Sequence, residues 1–521
     1  MLLKSKMLQY SSTQFYKDWR YSVQKDFTNP SAETVKYAPD GFRTWGSEQY
    51  KIQFPKAPHG VSVNCDGSLI AIAVEEDIHI YDTVNFSPVL VCKGHISNVD
   101  ALAFRPGNPK ILVSSAQGDR GRAGPHPIEP TILIWNLDEQ QNNPMMEASV
   151  ILKIASQATE TVAKSLLQTQ PRLELSTSEQ ESVTSAIGPV ITRIVKTHNV
   201  ANQISLSGRL QRSFQSEIFS PTGSHMIYLP GRRPDSNGSD VWDIKIYSMS
   251  THEDTLTLSG HSDAIMWTGY SPDKTLIGTV AWDQSIRIWN STTGLQKGRF
   301  NTTGQNWTGG FSPDSKRFAG TCGDGSLYIY SLIDGTTLVH NKPHTRGCWM
   351  RALSWAPDSN IVAVGEGHGS APGRFILYDV DKKEIIQERI LSTDECPVTE
   401  EYKRLIRSYL ECNTVRFLDG GKKVVVLTSG DGGIETYDLG TWQKWRFARP
   451  SVDPIVDPIV GEEFKEREDK TVDEDLENPL VHGSYSMTFW EDPGREKIWF
   501  ASIDSDAVRI WDVPMMKKNS T

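Results

Sequence analysis

No stretch of the chain approaches the roughly 20 consecutive apolar residues that a membrane-spanning helix needs. Residues Met1 to Tyr10 lack the continuous apolar core of a secretory leader. Cysteine is scarce, six in 521 residues, and Cys65, Cys92, Cys322, Cys348, Cys396 and Cys412 form no Cys-x-x-Cys pair of the kind that binds zinc or exchanges disulfides. Positive charge is not in excess either. With 54 basic against 64 acidic residues the formal net charge is −10, which disfavours a generic nucleic-acid coat or a polybasic membrane binder. These absences lead us to expect a cytoplasmic or nuclear protein with reduced thiols, not secreted, with neither nucleic acid nor membrane as partner.

Aromatic residues are plentiful, at 9% with 15 Trp, which is rich for a disordered chain. A self-similar pattern then accounts for most of the length. Its clearest copy runs from Gly260-His261 through Tyr270-Ser-Pro-Asp273, the apolar run Leu276 to Ala281 and Asp283, and closes on Ile286-Arg-Ile-Trp289-Asn290. A second copy runs from Gly94-His95 through Phe104-Arg-Pro-Gly107 and Ile111 to Ser115, and closes on Ile132-Leu-Ile-Trp135-Asn136. Each reads as three short strands separated by turns of known chemistry. Weaker copies close on Tyr81, Tyr247, Tyr330, Tyr378, Tyr437 and Trp511, making eight units in all.

Gly-His, a Ser-Pro-Asp turn, an Asp six residues before Trp or Tyr, and a closing Trp-Asp together resemble the WD40 repeat over roughly residues 50 to 513. The resemblance implies an all-β propeller in which each repeat supplies the outer strand of one blade and three strands of the next. It also implies a hydrogen-bonded tetrad within a blade, best matched by His261, Thr279 or a neighbour, Asp283 and Trp289. Related structural positions are His95, Trp135, Asp324, Asp431 and Trp511. The pattern departs from the family where Tyr replaces Trp in five units, where Gly-His is missing from all but two, and where Glu75 stands at the turn Asp. We expect eight blades, or seven if the degenerate unit at 214–248 is an insertion. The alternating segment Tyr50-Lys-Ile-Gln-Phe54 could supply the outer strand missing from the last blade.

The expected organisation is an N-terminal extension (1–49), a propeller (50–513) with insertions near 155–200, 392–412 and 450–482, and a short tail (514–521). In the family's architecture the Gly-His turn and the Asp turn share one face, and insertions at 116–131, 365–374, 392–412 and 450–482 would decorate it. The third of these contains a predicted helix capped by Thr399, with Tyr402, Leu405, Ile406, Tyr409 and Leu410 as its apolar stripe. Between Glu462 and Glu477 nine acidic residues face three basic ones, which reads as a solvated loop or, alternatively, a lure for a basic partner. The 155–200 insertion holds an amphipathic pattern (Ala158, Val162, Ala163, Leu166, Leu167), and either Val150 to Ile154 or Gln203 to Leu206 is the outer strand there.

Catalytic signatures of propeller enzymes are missing: there is no Gly-x-Ser-x-Gly elbow, no sialidase box and no quinoprotein docking motif. His340, His344, Cys348 and His368 match no zinc spacing, so neither metal nor cofactor is expected. Two adaptor subtypes also lose ground. Asp138, Thr292 and Pro514 stand where certain ubiquitin-ligase receptors carry Arg, and Gly231-Arg232-Arg233-Pro234 is not the Phe-Arg-Arg-Gly of phosphoinositide binders. The resemblance therefore implies a non-catalytic scaffold or adaptor that binds other proteins through its Gly-His face. The alternative is an enzyme or small-ligand binder using the channel mouth. Met266, Trp282, Trp307, Trp349 and Tyr485 are the expected contact residues, because their alignment opens them on that face.

Overall fold

The computed structural model describes Phe27–Thr28, Thr34–Val35 and residues 47–514, except 117–128, 141–147, 170–174, 200–203, 213–214, 232–241, 342–348, 368–373, 391–411, 429–433, 442–443, 448–454, 457–463, 466–482, 493–496 and 505–506. The capped helix expected after Thr399, the acidic run 462–477 apart from Phe464–Lys465, Asp431, His344, Cys348 and His368 lie outside the described residues.

Short antiparallel strands dominate, and their grouping gives eight blades. Six are separate four-stranded sheets, and a seven-stranded sheet holds the second and third blades joined. The first strands of neighbouring blades lie side by side, Pro58–Val63 against Val99–Phe104 and Trp349–Trp355 against Cys412–Leu418, so they form the inner ring around a central channel. Strand character follows depth in the blade. Leu69–Val74 is apolar throughout and buried at every position, whereas the outer strand Pro88–Lys93 is mostly exposed.

A four-stranded sheet cannot cover its own two faces, so the blades stack on one another. Among the described residues an apolar cluster fills each of the eight junctions. Ring closure comes from the chain's beginning. Ser47–Gln53 pairs with Ala507–Pro514 as the outer strand of the last blade, with Lys51 opposite Arg509 and Ile52 opposite Val508. This is the role the alternation around Tyr50 predicts. Earlier still, the paired strands Phe27–Thr28 and Thr34–Val35 lie beside the outer strand of the sixth blade.

The degenerate unit near residue 214 is a true blade with an unusual inner strand. Gly208 and Arg209 pair with the upper end of His225–Pro230, while Ile218 and Phe219 bond to its lower part. Between them, residues 210–212 and 215–217 lie outside the sheet. In the second blade Ile204–Arg209 is the outer strand, and Val150 to Ile154 belongs instead to the helix Ala148–Thr169. That helix packs against Thr177–Asn199 as a hairpin, with the Thr184 hydroxyl bonding the buried Thr159 hydroxyl at 2.9 Å. The hairpin connects the third and fourth strands, which puts it on the side opposite the Gly-His turns.

Candidate functional site

Two turns of the fourth blade meet because antiparallel strands alternate direction. The turn carrying His261 and the turn carrying Asp283 come to the same end, where His261 Nδ1 lies 2.8 Å from Asp283 Oδ2. On the other ring nitrogen, Nε2 is 2.8 Å from Thr279 Oγ1, and the Trp289 indole donates to the same hydroxyl at 2.9 Å. One assignment of protons satisfies the whole chain: Trp289 donates to Thr279, Thr279 to Nε2, and a neutral Nδ1–H to the carboxylate. Burial lowers the His261 pKa and so favours that neutral ring, against the opposing pull of Asp283. Burial alone would raise the Asp283 carboxyl, but hydrogen bonds from His261, Ser285 and the Ser262 amide outweigh it and bring the pKa to about 2.

The second blade repeats this with a serine. His95 Nε2 and the Trp135 indole each lie 2.7 Å from Ser114 Oγ, a residue the motif reading passed over. In the fifth blade Thr303 replaces the histidine and joins Asp324, at 2.6 Å, to the Tyr328 hydroxyl, at 2.8 Å. Trp511 is fully buried in the last blade, against Phe447 and Phe500. These groups hold the turns of their blades together.

At the opposite end of each blade the Ser-Pro-Asp turns interlock. The Asp273 amide donates to Ser315 Oγ at 3.0 Å, and the Asp314 amide to Ser359 Oγ at 3.2 Å. Lys274, Ser315 and Ser359 stand in these turns with φ of 70°, 60° and 63°, where other units use Gly67, Gly107 and Gly223.

The aromatic candidates gather near the channel on the Gly-His side. Trp282 and Trp307 meet edge to face at 5.3 Å, and Trp307 stacks on Trp349 at 4.6 Å. Trp282 and Trp349 are half-buried. Burial corrects the expectation for two others: Met266 is 8% and Trp307 4% exposed, so neither opens on the face. Gln211 donates to the Met266 carbonyl, and Trp307 is enclosed between its two Trp neighbours. Tyr485 lies on Gly483–Asp492, and its side chain is outside the described residues.

Inner strands carry a bulge near their Gly-His end that the sequence pattern did not reveal. Pairing skips His59, Asp100, Met266 and Arg351 in four blades, and a similar shift occurs around Trp307. A bulge re-aims the extra residue. Here it sends His59, Asp100 and Arg351 to a cavity of about 340 Å³ in the channel, lined also by Arg212, Thr414 and Arg416. The Arg351 guanidinium lies 4.9 Å from the Trp307 ring centre and 4.8 Å from that of Trp349, so the aromatic row and the cavity share one residue.

Beside the cavity, residues 210–212 and 215–217 reach across the channel. Gln215 Nε2 donates to the Val415 carbonyl at 2.8 Å and its Oε1 accepts from the Leu353 amide at 2.8 Å, tying the third blade to the sixth and seventh. The Glu217 amide donates to the Thr268 carbonyl at 3.0 Å, anchoring the other side to the fourth blade. Among the described residues no group of three His, Cys, Asp or Glu side chains is placed to hold a metal ion.

Radial four-stranded blades bearing this tetrad define a WD40-type β-propeller. A family profile described as "WD domain, G-beta repeat" matches residues 252–290, the span that runs from the outer strand of the third blade through the third strand of the fourth. That span is one WD40 repeat, and the similarity of the chain to WD-repeat proteins extends beyond it. The chain is 23% identical over 175 residues to the periodic tryptophan protein 2 homolog of Dictyostelium discoideum, a stretch covering 30% of this chain and 18% of that relative. It is 23% identical to human coronin-7 over 42% of this chain and 26% of the relative. It is also 26% identical to eukaryotic translation initiation factor 3 subunit I of Pyricularia oryzae, over 35% of this chain and 50% of the relative. The matched stretches thus span half or less of these relatives. Among the described residues no helix is long and apolar enough to cross a membrane.

Proposed function

We propose that this protein is a non-catalytic interaction scaffold whose Gly-His face, around the channel mouth, binds other proteins in the cytoplasm or nucleus. The observation that carries this reading is the row Trp282, Trp307 and Trp349 across three adjacent blades, buried at its centre and half-exposed at both ends. Rigid aromatics held by neighbours lose little entropy on contact, which makes them effective anchors. One relative's name, subunit I of an initiation factor, fits a propeller used as a component of an assembly. The expected absence of cofactor and nucleic acid belongs to the same proposal.

The test is quantitative affinity purification with wild type and a Trp282→Ala, Trp349→Ala double variant, both checked by circular dichroism. Trp307 is left intact because its burial makes it a packing residue. Losing about 2 kcal/mol at an anchor lowers affinity about thirtyfold, so discrete partners of the wild type should vanish. A folded variant that keeps every partner removes this face from consideration.

A further inference from the structure

We propose that the channel cavity is a binding site for a small, multiply charged phosphate-bearing anion, gripped by Arg212, Arg351 and Arg416. This goes beyond the scaffold reading and does not depend on it.

Three guanidinium groups from three different blades line one cavity, with Asp100 as the carboxylate among its lining residues. Asp100 accepts a hydrogen bond from Ser115 at 2.9 Å, which directs part of its capacity into the wall. Among the described residues neither Arg212 nor Arg416 makes an ion pair; Glu217 acts on both only at longer range. Both lie deep in the ring, yet Arg212 is exposed and Arg416 half-exposed, which leaves the cavity as the space they face. The surrounding protein lowers both of their pKa values, that of Arg416 to about 10. Guanidinium groups that converge on one confined space attract an anion into it.

The groups are also held in place. Arg351 sits at a backbone bulge and lies against the faces of Trp307 and Trp349. Arg212 belongs to the crossing segment that Gln215 fixes to the sixth and seventh blades. Planar guanidinium forks suit phosphate oxygens, and three of them suit a ligand with two or more negative charges. At about 340 Å³ the space falls at the small end of the ~300–1,000 Å³ typical of small-molecule pockets. That size, with the crossing segment beside it, fits a free small molecule and not a folded partner.

The test is isothermal calorimetry of the purified 521-residue chain with pyrophosphate at fixed ionic strength, alongside Arg212→Gln, Arg416→Gln, Arg416→Lys and, as a control on an outer strand, Arg299→Gln. Because the chain carries a net charge of −10, loose surface uptake of anions is disfavoured and a saturable signal is diagnostic. We expect one saturable site in wild type and Arg299→Gln, weakened at least tenfold in each cavity Gln variant. Arg416→Lys should bind several-fold weaker than wild type, since it keeps the charge and loses the fork; this arm stands even if the Gln variants do not fold. No saturable heat, or equal affinity in all folded variants, overturns the proposal. Binding of a phosphoserine peptide without binding of pyrophosphate also overturns it, by giving the site to a partner segment.

Discussion

Thr279 accepts from one ring and donates to another, and both partners are buried. Removing its hydroxyl strands a Trp N–H and a His nitrogen, each at the desolvation penalty of an unpaired polar group. Thr279→Val should therefore lose about 2 kcal/mol in urea unfolding, while Thr279→Ser should stay within a few tenths, because Ser114 performs the same task in the second blade. Equal losses for both would mean that the methyl group matters more than the hydroxyl. The pH dependence has a defined sign. His261 titrates below its ordinary 6.5 in the folded state, so its contribution is present above that value and lost as pH falls below it. Asp283 is drawn from 3.8 to about 2, so its contribution is present above 3.8 and lost as pH falls toward 2. Acid destabilises through both groups. The gap in stability between wild type and Asp283→Asn should shrink by about 2 kcal/mol between pH 4 and pH 2; a constant gap would detach Asp283 from acid sensitivity. The tetrad of the fourth blade was readable because its residues recur at fixed spacing. Arg351 and Asp100 were not, because an unmarked bulge shifts the two-residue alternation that says which side chains face the channel.

At the scale of elements, local chemistry announces turns and strands, whereas a segment held by distant partners gives no local sign. The Ser-Pro-Asp turns and the apolar second strands follow from proline, aspartate and alternation, and eight blades follow from counting them. Residues 210–217 have no such pattern. Their anchors, Leu353 and Val415, lie 138 and 200 positions away in the chain. Gln215 stands at φ 66°, outside strand geometry, and satisfies one amide and one carbonyl with a single side-chain amide. Gln215→Ala leaves both without that partner, so we expect a loss of about 2 kcal/mol in thermal or urea unfolding. Gln215→Glu keeps an acceptor for Leu353 but loses the donor for Val415, and should fall between the two. If Gln215→Ala matches wild type, the crossing segment is held by its contacts with the fourth blade alone. The same reasoning explains the second blade's outer strand: Val150 to Ile154 is as apolar as Ile204 to Leu206, and only the long helix that extends past it decides the matter.

Closure belongs to the whole molecule, because a ring of blades is complete only when its first and last segments meet. The seam joins Ser47–Gln53 to Ala507–Pro514, and Arg509 Nη1 lies 2.7 Å from Glu48 Oε2 across it, with the Arg509 side chain 2% exposed. Ile52 and Phe54 enter the cluster that packs the last blade on the first. The seam therefore uses backbone pairing, apolar burial and one enclosed ion pair together. Taking away one member of a buried pair removes part of what compensates the other's charge, at a cost of up to about 3 kcal/mol. Arg509→Met should pay nearly that in full, and Glu48→Gln somewhat less, since the Glu48 side chain is 14% exposed. The double variant should be more stable than the sum of the single losses predicts, by about 1 kcal/mol, because both single losses count the same interaction. Strict additivity would show that the two groups do not act as a pair. A chain starting after residue 54 goes further: it leaves Ala507–Pro514 as an unpaired edge rich in apolar residues, with no outer strand to cover it. Such an edge recruits another chain. Light scattering after size exclusion should then show dimers or larger species at concentrations where the full chain is monodisperse, and adding the peptide 44–56 in excess should reverse the effect. A truncated chain that stays monomeric with an unchanged melting temperature would place closure in the apolar junctions alone.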